Sequence, residues 1–125
     1  LPQGTLAEMI RAGGSGLGGV LTPTGVGTIV ENSPFCLGRQ QVRGKDYLLM
    51  EPLQADFALI GGHTVDRFGN VWYKGTTRNF NIVMAAAAGV TIVEADHLVQ
   101  VGEIKPESVV TSGAYVTYIV DGGVI

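Results

Sequence analysis

The chain has 125 residues, 46% of them hydrophobic and 15% charged, with a formal net charge of -3. That is enough apolar content to build a core, which excludes a disordered chain. It also excludes a nucleic-acid partner, because binding to a phosphate backbone draws on clustered positive charge and no run of Lys or Arg occurs.

In chain order, Thr5 and Glu8 stand at the spacing of a capping box, and Leu6, Met9 and Ile10 then share one helical face until Gly13-Gly14. This predicts a short helix after Gln3. Residues 14–28 read as loop, and Ile29-Val30 as the edge of a strand. Residues 40–50 predict a hairpin turning at Arg43-Gly44-Lys45. The nearly continuous apolar run at 55–62 predicts a strand covered on both faces. Residues 66–70 make a turn, 71–73 a brief strand, and 80–88 an alanine-rich helix with Gly89 as its C-cap. A second buried strand follows at 90–94, a short turn at 104–108 and a last strand at 114–120. Strand, helix and strand over 55–94 form a right-handed crossover between parallel neighbours. The expected fold class is therefore α/β: a largely parallel open sheet with helices on its faces, plus a small β-hairpin region, in a single domain over 1–125.

Several familiar chemistries fail on context. The stretch Gly14-Ser15-Gly16-Leu17-Gly18-Gly19 satisfies G-x-G-x-x-G, but a dinucleotide fingerprint follows a strand and opens a helix. Here it follows a helix and runs toward Pro23, which disfavours helical backbone at Thr22. His63 and His97 have no ligand-spaced partners, so no metal is expected and both read as surface or loop residues. Cys36 reads as a small buried hydrophobe, and a single Cys fits a reducing compartment, hence the cytoplasm. The longest apolar stretch, at 82–88, is far short of the ~20 residues of a membrane helix, so no membrane partner is expected. Among the carboxylates Glu94 stands apart, because it closes a buried parallel strand at the edge where α/β sheets place ligands.

Three uncharged polar clusters remain: Pro2-Gln3-Gly4-Thr5, the stretch T-P-T-G-V-G-T at 22–28, and T-T-R-N-F-N at 76–81. Glycine or a helix start beside hydroxyl and amide groups suits donors aimed at a carbonyl or carboxylate. Taken singly, each also suits an ordinary cap or turn.

In their order, P-Q-G-T-L-A-E-x-I-R-A-G-G, T-P-T-G-V-G-T, A-D-F-A-L-I, D-x-x-G-N, R-N-F-N and T-I-V-E-A resemble the α subunit of family I CoA-transferases, from residue 1 to about residue 120. The resemblance implies transfer of CoA between a short-chain acyl-CoA or 3-oxoacyl-CoA and a carboxylic acid, with coenzyme A as substrate and no permanently bound cofactor. It implies a glutamyl-CoA thioester formed on a partner β subunit within a hetero-oligomer. The family's nucleophilic Glu lies in an S-E-N-G motif of that β subunit; Val30-Glu31-Asn32-Ser33 matches only E-N, so this chain is expected to carry no nucleophile. Gln3 would contact the thioester carbonyl in a supporting catalytic role. Gly4, Thr22, Thr24, Gly25, Gly27, Arg78, Asn79 and Glu94 would bind substrate. The family's G-G-F-x-x-x-G-x-P signature is missing and the first residue is Leu. Both lead to the expectation of the carboxyl-terminal portion of an α subunit. The competing class is a non-catalytic module sensing a sugar-phosphate-like ligand on a related α/β fold.

Overall fold

The computed structural model describes residues 1–123 and divides into two compact units, 1–54 and 55 onward. The first unit opens with helix α1, Gln3–Ser15. It starts two residues before the expected capping box. Thr5 is buried inside the helix, the Leu6 N–H bonds the Pro2 carbonyl, and Glu8 pairs with Arg11 instead of reaching back. The helix also ends later than expected, at Gly16, whose φ of 71° supplies the left-handed C-cap that glycine adopts without strain. Gly13 meets a different demand: a Cβ there would stand 1.8 Å from the Leu53 carbonyl oxygen.

Strands β1 (Val20–Thr22), β2 (Cys36–Val42) and β3 (Lys45–Met50) form an antiparallel sheet in the order β1-β3-β2. The expected hairpin is present and turns at Arg43-Gly44, both with positive φ (51° and 78°) as a tight primed turn requires. Strand β1 lies inside the stretch expected to be loop. Ile29-Val30 is no strand; residues Ile29–Asn32 form a 3-10 turn capped by Thr28, whose hydroxyl accepts the Val30 N–H. Met9, Leu48 and Met50 are fully buried, and Val20, Val26, Val30, Cys36 and Leu53 pack on them.

The second unit is a four-stranded sheet in the order β5-β4-β6-β7: β4 Ala55–Asp66, β5 Val71–Trp72, β6 Ala88–Val99 and β7 Tyr118–Asp121. Strands β4, β6 and β7 run parallel, as expected from the crossover, and β5 is antiparallel. Helix α2 covers only Asn79–Met84, and Gly89 lies within β6 rather than capping the helix. The alanines that favour helix are drawn off because β6 begins pairing at Ala88 opposite Ala55, while the Ala55 N–H bonds the Ala87 carbonyl. The last strand is shorter than expected, since Gly113–Tyr115 is a 3-10 turn. One sheet face holds the core of Ala58, Ile60, Val65, Val93 and Ala95, on which Ile82 and Met84 of α2 pack. The other face is not covered: Phe57 and Leu59 are exposed, against the expectation of a strand buried on both sides.

Replacing Gly13 by Ala should lower stability, because overpacking strain of about 1–3 kcal/mol outweighs the ~1 kcal/mol that Ala gains in a helix. Gly4→Ala, whose new methyl group would meet nothing within 4 Å, should be neutral or stabilising. Denaturant midpoints of the two variants check the contrast.

Candidate functional site

Two of the three polar clusters come together in the first unit. The start of α1 and strand β1 enclose a cavity of about 420 Å³ lined by Pro2, Gly4, Thr5, Glu8, Val20, Leu21, Thr22 and Thr24. Gly4, Thr22 and Thr24 thus share one wall system. Gln3 is exposed on the first turn of α1, adjacent in sequence to lining residues on both sides, but does not itself line the cavity. The only charged group among these lining residues is Glu8, whose carboxyl is held below the usual glutamate range by its hydrogen bonds to Arg11 at 2.8 and 2.9 Å.

The glycine loop beyond β1 is tied down locally. Gly25 and Gly27 both take positive φ, 95° and 80°, where a side chain would be strained. Thr24 donates its N–H to the Thr22 hydroxyl, and the Thr28 hydroxyl donates to the Gly25 carbonyl at 2.6 Å. The strongest tie is one that the sequence motifs do not reveal. Glu31 accepts the Gly27 N–H at 2.7 Å and pairs with Arg39, which also reaches Asp46 at 3.3 Å. The Gly27 N–H first, and the Arg39 guanidinium second, hold the Glu31 carboxyl below the usual glutamate range. Its one legible signal is a carboxylate four residues beyond a glycine, in the first turn after a Thr cap.

Among the described residues, the Gly25 N–H has no intramolecular partner, whereas the Gly27 N–H is consumed by Glu31.

The remaining expected residues belong to the second unit. Arg78 and Asn79 are exposed at the junction of a 3-10 turn and α2. Glu94 is exposed on the uncovered sheet face, opposite Gly61 on β4 and Val120 on β7. His63 and His97 are strand residues rather than isolated loop positions. Parallel pairing of β4 with β6 places His97 opposite Thr64, and the neighbouring His63 ring stands 4.8 Å from that of His97, with Trp72 edge-on to His63 at 4.9 Å. Asp66 and Asn70 are structural: Asp66 accepts the N–H groups of Phe68 and Asn70, and the Asn70 side chain accepts the Gly113 N–H.

Residues 1–122 match the Coenzyme A transferase family. The chain is 52% identical to the acetate CoA-transferase subunit alpha of Escherichia coli K12 over 120 residues, covering 96% of the chain and 53% of that protein. It is 54% identical to the acetoacetyl-CoA:acetate/butyrate CoA transferase alpha subunit of Clostridium acetobutylicum, covering 95% of the chain and 53% of that protein. The chain therefore spans about half the length of these relatives. In fold it resembles the thioester complex with CoA of an acyl-CoA transferase from E. coli O157:H7, with a TM-score of 0.82 at 22% identity, over 97% of this chain and 27% of that one.

Because Glu31 is ionised in its folded setting and its carboxyl is shifted down, the loop should stay ordered above the ordinary glutamate range and loosen as pH falls through the lowered value. Exchange at the Gly27 amide, corrected for its intrinsic pH dependence, should accelerate over that interval. Glu31→Gln should accelerate it at neutral pH, with exchange at Leu48 in the core unchanged.

Proposed function

The chain belongs to the Coenzyme A transferase family, and from that premise we propose that it forms the carboxyl-terminal portion of an α subunit that moves CoA between a short-chain acyl-CoA or 3-oxoacyl-CoA and a carboxylic acid. The observation that carries this reading is the cavity where P-Q-G-T and T-P-T-G meet, lined by Gly4, Thr5, Thr22 and Thr24 together with Glu8 and apolar residues. The relatives named above are all transferases, which sets aside the sugar-phosphate sensor.

In this reading a β-subunit glutamate attacks the acyl-CoA carbonyl and forms an acyl anhydride with release of the CoA thiolate. The thiolate then attacks the glutamyl carbonyl, giving the glutamyl-CoA thioester and freeing the first carboxylate; the acceptor acid reverses the sequence. Covalent catalysis divides one difficult exchange into easier steps. The part of this chain is to stabilise charge on the thioester oxygen. Gln3 offers a side-chain amide, and Gly25 offers the backbone N–H left open in the loop. Thr22, Thr24 and Gly4 shape the wall against the acyl group. Gly27 acts indirectly, as the anchor of the loop on Glu31. Coenzyme A is substrate here, and the reducing cytoplasm suits the free Cys36.

Arg78 and Asn79 remain proposed contacts for the substrate. Their exposed, uncovered position leaves both groups open to a ligand.

The 125 residues alone should transfer no CoA from acetoacetyl-CoA to acetate, whereas a complete α subunit with its β subunit should. Turnover by the isolated chain would refute the division of labour between subunits.

In that complete enzyme, Gln3→Ala should lower kcat by about 10²–10³ with a smaller effect on KM, since a donor aimed at a developing oxyanion acts chiefly in the transition state. Steady-state kinetics with acetoacetyl-CoA separates this from a binding loss, and an unchanged kcat would return Gln3 to the status of a turn residue.

A further inference from the structure

The chain's two histidines meet near the carboxyl ends of β4 and β6, the edge at which open α/β sheets place ligands. His97 stands opposite Thr64, and its ring lies 4.8 Å from that of the adjoining His63, tilted by 56°. Trp72, opposite Thr64 on β5, meets His63 edge-on at 4.9 Å. Among the described residues no hydrogen bond joins the two imidazoles, and neither is paired with a carboxylate. Their one polar contact is between His63 Nδ1 and the Thr64 hydroxyl, at 2.9 Å. In the tautomer whose Nδ1–H donates there, His63 Nε2 carries an unshared lone pair. A bond of this kind on the far nitrogen is what orients an imidazole toward a metal ion.

We propose that His63 and His97 form a two-imidazole site for a divalent transition-metal ion of the Zn²⁺ or Ni²⁺ kind, held across β4 and β6. The ring separation fits. A metal–nitrogen bond of about 2.0–2.1 Å sets an imidazole centroid about 3.2 Å from the ion, so two rings meeting there at about 90–110° have centroids about 4.5–5.2 Å apart. The observed 4.8 Å lies within that interval. On binding, two waters leave the hydrated ion as the two nitrogen lone pairs enter. No third His, Cys, Asp or Glu joins the pair among the described residues, so the remaining positions stay with water. Solvent reaches this end of the sheet, since Thr64 and Trp72 also line an open cavity of about 350 Å³. Imidazole ligands suit Zn²⁺, Ni²⁺ and Cu²⁺, whereas Mg²⁺ and Ca²⁺ require oxygen ligands. The site is built from the second unit alone and needs nothing from the CoA transfer proposed above.

The test titrates the chain with Zn²⁺ and Ni²⁺. Zn²⁺ should shift the imidazole NMR signals of both histidines along one saturable curve that ends at one ion per chain. Ni²⁺ should quench the fluorescence of Trp72, the chain's one tryptophan, with the same stoichiometry, since a paramagnetic ion held by His63 sits beside the indole. Mg²⁺ should do neither. His63→Gln and His97→Gln should each weaken Ni²⁺ binding about tenfold or more, because losing a ligand costs at least as much as losing an outer-shell partner. Cys36→Ser, which removes the one thiol, should leave binding unchanged. Circular dichroism reports whether each variant is folded, and the Zn²⁺ titration of the unaltered chain depends on no variant. Movement of one histidine alone or of neither, an equal response to Mg²⁺, Ni²⁺ binding indifferent to either Gln, or loss of binding in a folded Cys36→Ser variant overturns the proposal. Transfer activity is not read, so failure of the catalytic reading and failure of this one are distinguishable.

Discussion

The parallel pairing of β4 with β6 is the constraint on which the second unit depends. Ten register pairs, from Ala55 opposite Ala88 to Asp66 opposite Val99, commit two 12-residue strands to run side by side. Parallel neighbours cannot be joined by a tight turn. The intervening segment must carry the chain back, and within it the Asp66 turn, β5 and α2 each serve that return. Asp66 closes the first bend by accepting two backbone N–H groups, and the Thr91 hydroxyl ties β6 to the end of the helical segment by donating to the Ala85 carbonyl. Tyr73 then anchors the core from below, its hydroxyl bonded to Thr111 at 2.7 Å; burial, only partly offset by that bond, raises its pKa.

This constraint explains which parts of the fold are legible in the sequence. The apolar runs at 55–62 and 90–94 announce two strands, and their spacing announces the crossover. Their true ends are hidden, because pairing extends the strands through residues such as Thr64, Asp66 and His97 that carry no apolar signal. The run of alanines misleads for a related reason. Helix propensity differs by tenths of a kcal/mol per residue, and a ladder already in register overrides it. In the first unit the same lesson has a smaller scale: β1 is three residues long amid glycines, and only its partner β3 makes it a strand.

Of the candidate site, the sequence motifs locate the walls and miss the frame. Gly4, Thr22 and Thr24 are legible from pattern and do share one cavity. Glu31 escapes notice because its context invites comparison with a nucleophile and not with a hydrogen-bond acceptor. Pattern records which residue types occur; it does not record that a carboxylate folds back on an amide four positions earlier. The pair of histidines is hidden by distance in the chain, since 34 positions of separation vanish when two long strands align.

Glycine in the loop poses a physical problem that Glu31 answers. Positive φ at two alternate positions is accessible to glycine at little steric cost, but glycine also surrenders the most conformational entropy on ordering. A loop free to explore that space would present its N–H groups in many directions, and a donor stabilises a developing charge only if it is already aimed when the charge appears. Glu31 takes one amide, the Thr28 hydroxyl takes one carbonyl, and Arg39 fixes Glu31 in turn to the hairpin. Three side chains outside the cavity thereby remove the freedom that glycine introduced. The backbone keeps the positive φ that glycine alone adopts without strain, and the entropy of ordering is met during folding.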